Sequence, residues 1–392
     1  MGKILNQRLP QENEATSTKE KSSKSFITSI RYEHVPLIVS MIWMLQILIT
    51  TAEPQVPCYF IFGDSLADNG NNNALATQAK VNYPPYGVDF PGGIATGRYT
   101  NGENAADILG KLLGFLNYTP PHATATGPEI VKGLNYASGG AGILKRTGRN
   151  LGEHINLDLQ LKHHGMIVSK IMSLQGNNAT FTKDYLSKCI YTVGMGSNDY
   201  INNYFMPDKY NTSKRYTPDQ YADLLIHKYS RQLESLYIHG ARKVVVFGLG
   251  LIGCTPAKVS DFGANASGCV DKINAAITLF NERLKPIIDE LNNKFGSAKY
   301  IYINTTNISL GDPSSIGFTV FSAPCCKPSV DFGKGQCKPN QPPCNDRSKY
   351  IFWDGFHPTE KVHMGTASRA YIAASPLDSY PMDIRSLALL KL

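Results

Sequence analysis

A serine at Gly63-Asp64-Ser65-Leu66 directly follows the apolar run Tyr59-Phe60-Ile61-Phe62. A short aromatic and β-branched run reads as a buried strand. In an open α/β sheet, reacting groups collect beyond the carboxyl ends of the strands. A serine on that turn exposes its Oγ as a nucleophile, and its own N–H can face developing negative charge. Asp354-Gly355-Phe356-His357 lies far downstream. On a loop, Asp-x-x-His folds back so that the carboxylate meets Nδ1–H and Nε2 faces outward as a base. Acyl transfer further needs donors for an oxyanion. Gly139 offers a backbone N–H that no side chain shields, and Asn198 offers a side-chain amide. Taken singly, each piece has a plain structural reading: a strand-to-loop turn, a helix-capping Asp beside a surface His, a flexible glycine turn, and a turn-forming Asn.

Strands and helices must bring these pieces together. Gly133–Ser138, Cys189–Val193, Arg242–Phe247 and Lys299–Asn304 read as further strands, and each of the first three runs into glycine. Helices are expected from Gly102 to Phe115, from Asn156 to Leu174 and from Pro218 to about Ile238, the last opened by Thr217-Pro218 and ended at Gly240. Two more run from Val270 to about Phe295 and from Thr359 to Ala374. In the second of these five helices, Leu157, Leu159, Leu161, Ile167 and Ile171 are expected partly inside. Residues 69–101 form a long polar loop. Alternating strands and helices argue a parallel sheet covered on both faces, and no linker divides residues 53–392, so one α/β domain is expected.

The four blocks occur in a telling order. Phe62-Gly63-Asp64-Ser65-Leu66-Ala67-Asp68-Asn69-Gly70 comes first, then Asn135-Tyr136-Ala137-Ser138-Gly139-Gly140-Ala141-Gly142. Val193-Gly194-Met195-Gly196-Ser197-Asn198-Asp199-Tyr200 and Phe352-Trp353-Asp354-Gly355-Phe356-His357-Pro358-Thr359 follow. In these blocks, and over about residues 57–374, the chain closely resembles the plant-type GDSL esterases/lipases of the SGNH hydrolase family. The resemblance implies a flavodoxin-like three-layer α/β/α sandwich with a mainly parallel sheet, and ester hydrolysis through an acyl-enzyme. It implies Ser65 as nucleophile, His357 as base and Asp354 as its orienting carboxylate. The oxyanion donors it implies are the Ser65 and Gly139 N–H groups and the Asn198 side chain, with Gly140 replacing Gly139 if the second block is shifted by one. The Gly-x-Ser-x-Gly elbow of α/β-hydrolases is absent around Ser65.

The remaining features bound the setting. Of the nine His, His154, His163, His164 and His363 stand in amphipathic or exposed-looking contexts and are read as bystanders. Residues 1–34 are polar, 35–49 are mostly apolar, and Thr50-Thr51-Ala52 suits signal-peptidase cleavage after Ala52. Residues 1–52 are thus expected to be a polar leader plus signal peptide, with a retained anchor or initiation at Met41 as alternatives. Eight cysteines follow Ala52: Cys58, Cys189, Cys254, Cys269, Cys325, Cys326, Cys337 and Cys344. Behind a secretory signal an even count suggests disulfides of open connectivity; the cluster from Cys325 to Cys344 lacks the paired Cys-x-x-Cys knuckles of a zinc site. Six sequons, at Asn117, Asn178, Asn211, Asn265, Asn304 and Asn307, also suit a secreted chain. The net charge of +8 is spread without a Lys/Arg run, which argues against a nucleic-acid partner. The expectation is a secreted monomer of the apoplast or cell wall with no metal, cofactor or stable membrane span. Its substrate would be a small-molecule, lipid or polysaccharide ester. Acyl transfer by the same residues, or a catalytically silent binding or defence protein, are the competing readings. Substrate choice falls to loops 69–101, 143–155 and 200–216, where Tyr83, Tyr86, Tyr200, Tyr204 and Phe205 either line a pocket or pack.

Overall fold

Strand residues alternate between two cores, and that alternation builds three layers. The computed structural model describes residues 53–265, 268–329 and 335–392; the expected leader, signal segment and cleavage site lie outside them. Strands β1 (Tyr59–Gly63), β2 (Ile190–Gly194), β3 (Lys243–Phe247) and β4 (Lys299–Ile303) pair in parallel in that order. In the same sheet a short strand, Ser379–Tyr380, adds antiparallel to β4. On the other side of β1, residues 134–138 run parallel to it: Ile61 N–H donates to Leu134 O, Tyr136 N–H to Ile61 O and Ser138 N–H to Gly63 O. The segment expected as a strand is thus an irregular edge.

Phe60, Phe62, Tyr191, Val193, Val244, Val246, Tyr300 and Tyr302 face one core. Helices α2 (Leu157–Leu174), α3 (Ala179–Lys188), α4 (Pro218–Ile238) and α5 (Asp271–Lys294) pack against it. Tyr59, Ile61, Ile190, Val245, Ile301 and Ile303 face the other, under α1 (Ala105–Leu112), α6 (Glu360–Tyr371) and α7 (Ile384–Leu389). Period-two burial on both faces is what a covered parallel sheet requires.

Several local expectations need correcting. Leu159 is exposed, because it sits two residues, about 200° of helix, from both Leu157 and Leu161, which are buried. Helix α3 was not expected: it is mostly polar and buries only Thr182 and Leu186. His164 and His363 are not exposed but buried, each pushed down to about 3 by that burial. The disulfides expected from the even cysteine count are present, and their open connectivity resolves as Cys58–Cys189, Cys254–Cys269, Cys325–Cys344 and Cys326–Cys337, so the downstream cluster offers zinc no thiolate. Two short strands absent from the sequence reading, Val320–Pro324 and Tyr350–Phe352, pair with each other; the first runs into Cys325 and the second into Trp353 and Asp354.

Candidate active site

Gly63 ends β1 where only a glycine fits easily, since a Cβ there would stand 3.1 Å from Gly194 O. The Gln160 side chain holds both polar groups of Gly63, accepting its N–H at 3.0 Å and donating to its carbonyl at 2.8 Å. The chain then turns. Asp64 O accepts Ala67 and Asp68 N–H, and Asp64 Oδ1 accepts Leu66 N–H. This lifts Ser65 to the rim of the sheet, and its own N–H finds no acceptor among the described residues. Burial pushes the Asp64 carboxyl up to about 6.

The Asp354–His357 segment folds back on itself as a loop. Asp354 Oδ1 accepts Phe356 and His357 N–H, both at 2.8 Å, while Trp353 N–H donates to His357 O. The same carboxylate lies 2.9 Å from His357 Nδ1, and His357 Nε2 lies 2.8 Å from Ser65 Oγ. With Nδ1 protonated toward Asp354, Nε2 is left to accept the Ser65 hydroxyl. Residues 292 apart in sequence thus share one hydrogen-bonded line.

Asn198 opens the turn after β2. Its Nδ2 donates to Ala141 O at 2.9 Å and its Oδ1 accepts from Asn202, which leaves one amide hydrogen over. Gly139 departs from expectation in one respect: its N–H already donates to Asp68 Oδ2 at 2.9 Å. A Cβ on Gly139 would meet Tyr99 Oη at 2.0 Å, so glycine is required there by packing. The next N–H, of Gly140, has no acceptor among the described residues.

Three contributors are not read from the sequence as partners of the catalytic line, although the sequence marks Tyr86 as a pocket-lining or packing side chain. Tyr86, buried, donates its Oη to Asp354 Oδ2 at 2.6 Å and accepts Cys337 N–H at 3.0 Å. The Tyr99 ring lies 4.7 Å from the His357 ring, centre to centre. Asp68, also raised to about 6 by burial, collects the N–H groups of Gly70, Asn71 and Gly139. Asp68 belongs to the first block and could have been flagged there. Nothing in the loop around Tyr86 signals that it meets a carboxylate 268 positions away.

Comparison with known proteins agrees with the motifs. Residues 59–369 match the family described as GDSL-like Lipase/Acylhydrolase. The Arabidopsis thaliana GDSL esterase/lipase At1g29670 is 46% identical over 355 residues, covering 90% of this chain and 97% of that protein. A second from the same plant, At1g29660, is 47% identical over 340 residues, 86% of this chain and 93% of its own. The chain belongs to this family of ester hydrolases and has its flavodoxin-like α/β/α fold.

Proposed function

We propose that the protein is a secreted serine esterase that cleaves carboxylic esters through an acyl-enzyme on Ser65. The observation that carries this is the line from Ser65 Oγ to His357 Nε2 at 2.8 Å and from His357 Nδ1 to Asp354 at 2.9 Å. His357 takes the Ser65 proton as Oγ attacks the ester carbonyl, and Asp354 holds the ring and stabilises the imidazolium. The tetrahedral oxyanion is received by Ser65 N–H, the Asn198 amide and one N–H of the Gly139–Gly140 turn. Removal of a comparable donor elsewhere costs roughly 2.7–4 kcal/mol. Gly139 serves only when Asp68 shares or releases its N–H; Gly140 is the unencumbered neighbour. His357 then protonates the leaving alcohol, and water, activated by the same ring, frees the acyl group.

Secretion is supported by the four disulfides, which persist in oxidising compartments, and no helix among the described residues is long and apolar enough to cross a membrane. The test is hydrolysis of a short-to-long acyl ester series by purified wild type and Ser65→Ala. Loss of about 10³-fold or more in kcat, with unchanged circular dichroism, is expected. Undiminished turnover by folded Ser65→Ala would sink the assignment.

A further inference from the structure

The segments on either side of β1 each lead into a loop: residues 134–138 into loop 143–155, whose Gly148 lies against Gly140, and β2 into loop 200–216. These loops meet around a cavity of about 450 Å³. Lys145, Arg146, Arg149 and Arg215 line it, with Tyr216 and Leu224 supplying apolar wall. No acidic side chain lines it, and none of these four cations has an ion-pair partner among the described residues. Elsewhere Arg98, Arg283, Arg347 and Arg369 each pair with aspartate. Grouping four like charges without a counter-charge costs repulsion that an anion would relieve.

The frame beneath them is tightly bonded. The buried Asp199 carboxylate accepts the N–H groups of Ile143 and Leu144 and the Thr147 hydroxyl. Asn203 joins Thr147 to Thr212, Gly148 N–H donates to Asn202 O, and Asn150 is tied to Tyr210 through two hydrogen bonds. Ordering such a frame in advance cuts the cost of capturing a ligand. The same frame touches the active site, since Asn198 adjoins Asp199 and donates to Ala141 O.

We propose that this cavity is an anion subsite for the non-reacting part of the ester, and that the substrate carries a phosphate. Three guanidinium forks and an ammonium carry four positive charges, so a dianionic phosphate relieves more of their repulsion than a singly charged carboxylate does, and guanidinium groups bind phosphate bidentately. The inference rests on the esterase reading.

The test compares 1-butyrylglycerol 3-phosphate with 1-butyrylglycerol, using wild type and the triple variant Arg146→Ala/Arg149→Ala/Arg215→Ala. All three changes are at exposed positions outside the catalytic line. Wild type should favour the phosphorylated ester at least tenfold in kcat/KM at low salt, chiefly through KM, and the preference should collapse near 1 M NaCl. The triple variant should lose it while cleaving 1-butyrylglycerol as before, and inorganic phosphate should inhibit wild type competitively. Equal rates on the two esters, or a preference the triple variant retains, would overturn the proposal with the esterase reading intact. Because Asn211 at the rim stands in a sequon, native and deglycosylated protein are both assayed; a preference seen only after deglycosylation counts against it. If neither ester is cleaved, the esterase reading is what fails. Calorimetric titration with inorganic phosphate then judges the cavity alone: tighter binding by wild type than by the triple variant supports it, and equal or absent binding overturns it.

Discussion

Tyr86 reaches Asp354 from a loop that also contacts a disulfide. Its phenol donates to Asp354 Oδ2, and the Cys337 N–H, beside the Cys326–Cys337 bridge, fixes the phenol in turn. The buried carboxylate therefore receives donors at both oxygens, Phe356 and His357 N–H at one and Tyr86 at the other. Tyr86→Phe removes the donor with little change in shape. Hydrogen bonds to charged groups are worth about 1.5–3 kcal/mol, so kcat should fall about tenfold or more with KM little altered. A kcat for Tyr86→Phe within about twofold of wild type would mean that the backbone donors alone hold Asp354 in place.

At the scale of elements, helix α4 carries its own start signal. The Thr217 hydroxyl accepts Gln220 N–H, the Gln220 side chain accepts Thr217 N–H, and Pro218 occupies the first turn. This capping box is exposed, while the far side of α4 buries Tyr221, Leu225, Tyr229, Leu233 and Leu236. Thr217→Ala should cost about 1 kcal/mol, read as a lower urea midpoint at constant m-value. A midpoint unchanged within error would mean that packing alone holds this end. The effect on esterase activity should be small, because Thr217 lies at the exposed start of α4, while α4 meets the site through residues further along it, such as Tyr221 Oη on Asp199 O and Tyr229 Oη on Val193 O.

For the whole molecule, buried titrating groups pull stability in opposite directions as pH falls. Burial raises Asp64, Asp68 and Asp199 to about 6, so these groups favour the folded state as pH drops through that value. His164 acts the other way. Its ring, enclosed by Phe60, Phe62, Tyr136 and Tyr191, is held neutral down to about 3, whereas an unfolded histidine takes a proton near 6.5. Its contribution is present above pH 6.5 and lost below. His164→Phe should remove that loss, so that between pH 7 and pH 5 the variant forfeits about 2 kcal/mol less than wild type. Losing the Tyr136 contact to His164 Nδ1 lowers stability at both pH values alike and leaves the difference intact. Identical slopes from urea unfolding at the two pH values would contradict this account.

The sequence by itself determined the main strands and most of the long helices, and it named the candidates for the site. Buried β-branched and aromatic runs made β1 to β4 legible, the first three of them ending in glycine, Thr217-Pro218 marked the start of α4, and four motifs in fixed order named Ser65, Gly139, Asn198, Asp354 and His357 as candidates. These signals are local, set by backbone preference and hydrophobic period. Only the tertiary structure decided what depends on distant groups meeting. It joined Tyr86 to Asp354 and Asp68 to Gly139, paired the cysteines, buried His164, and closed two loops around four unpaired cations. A side chain's type and its neighbours in sequence do not reveal which group it will meet across 70 or 270 residues. Strand order and loop path set those encounters.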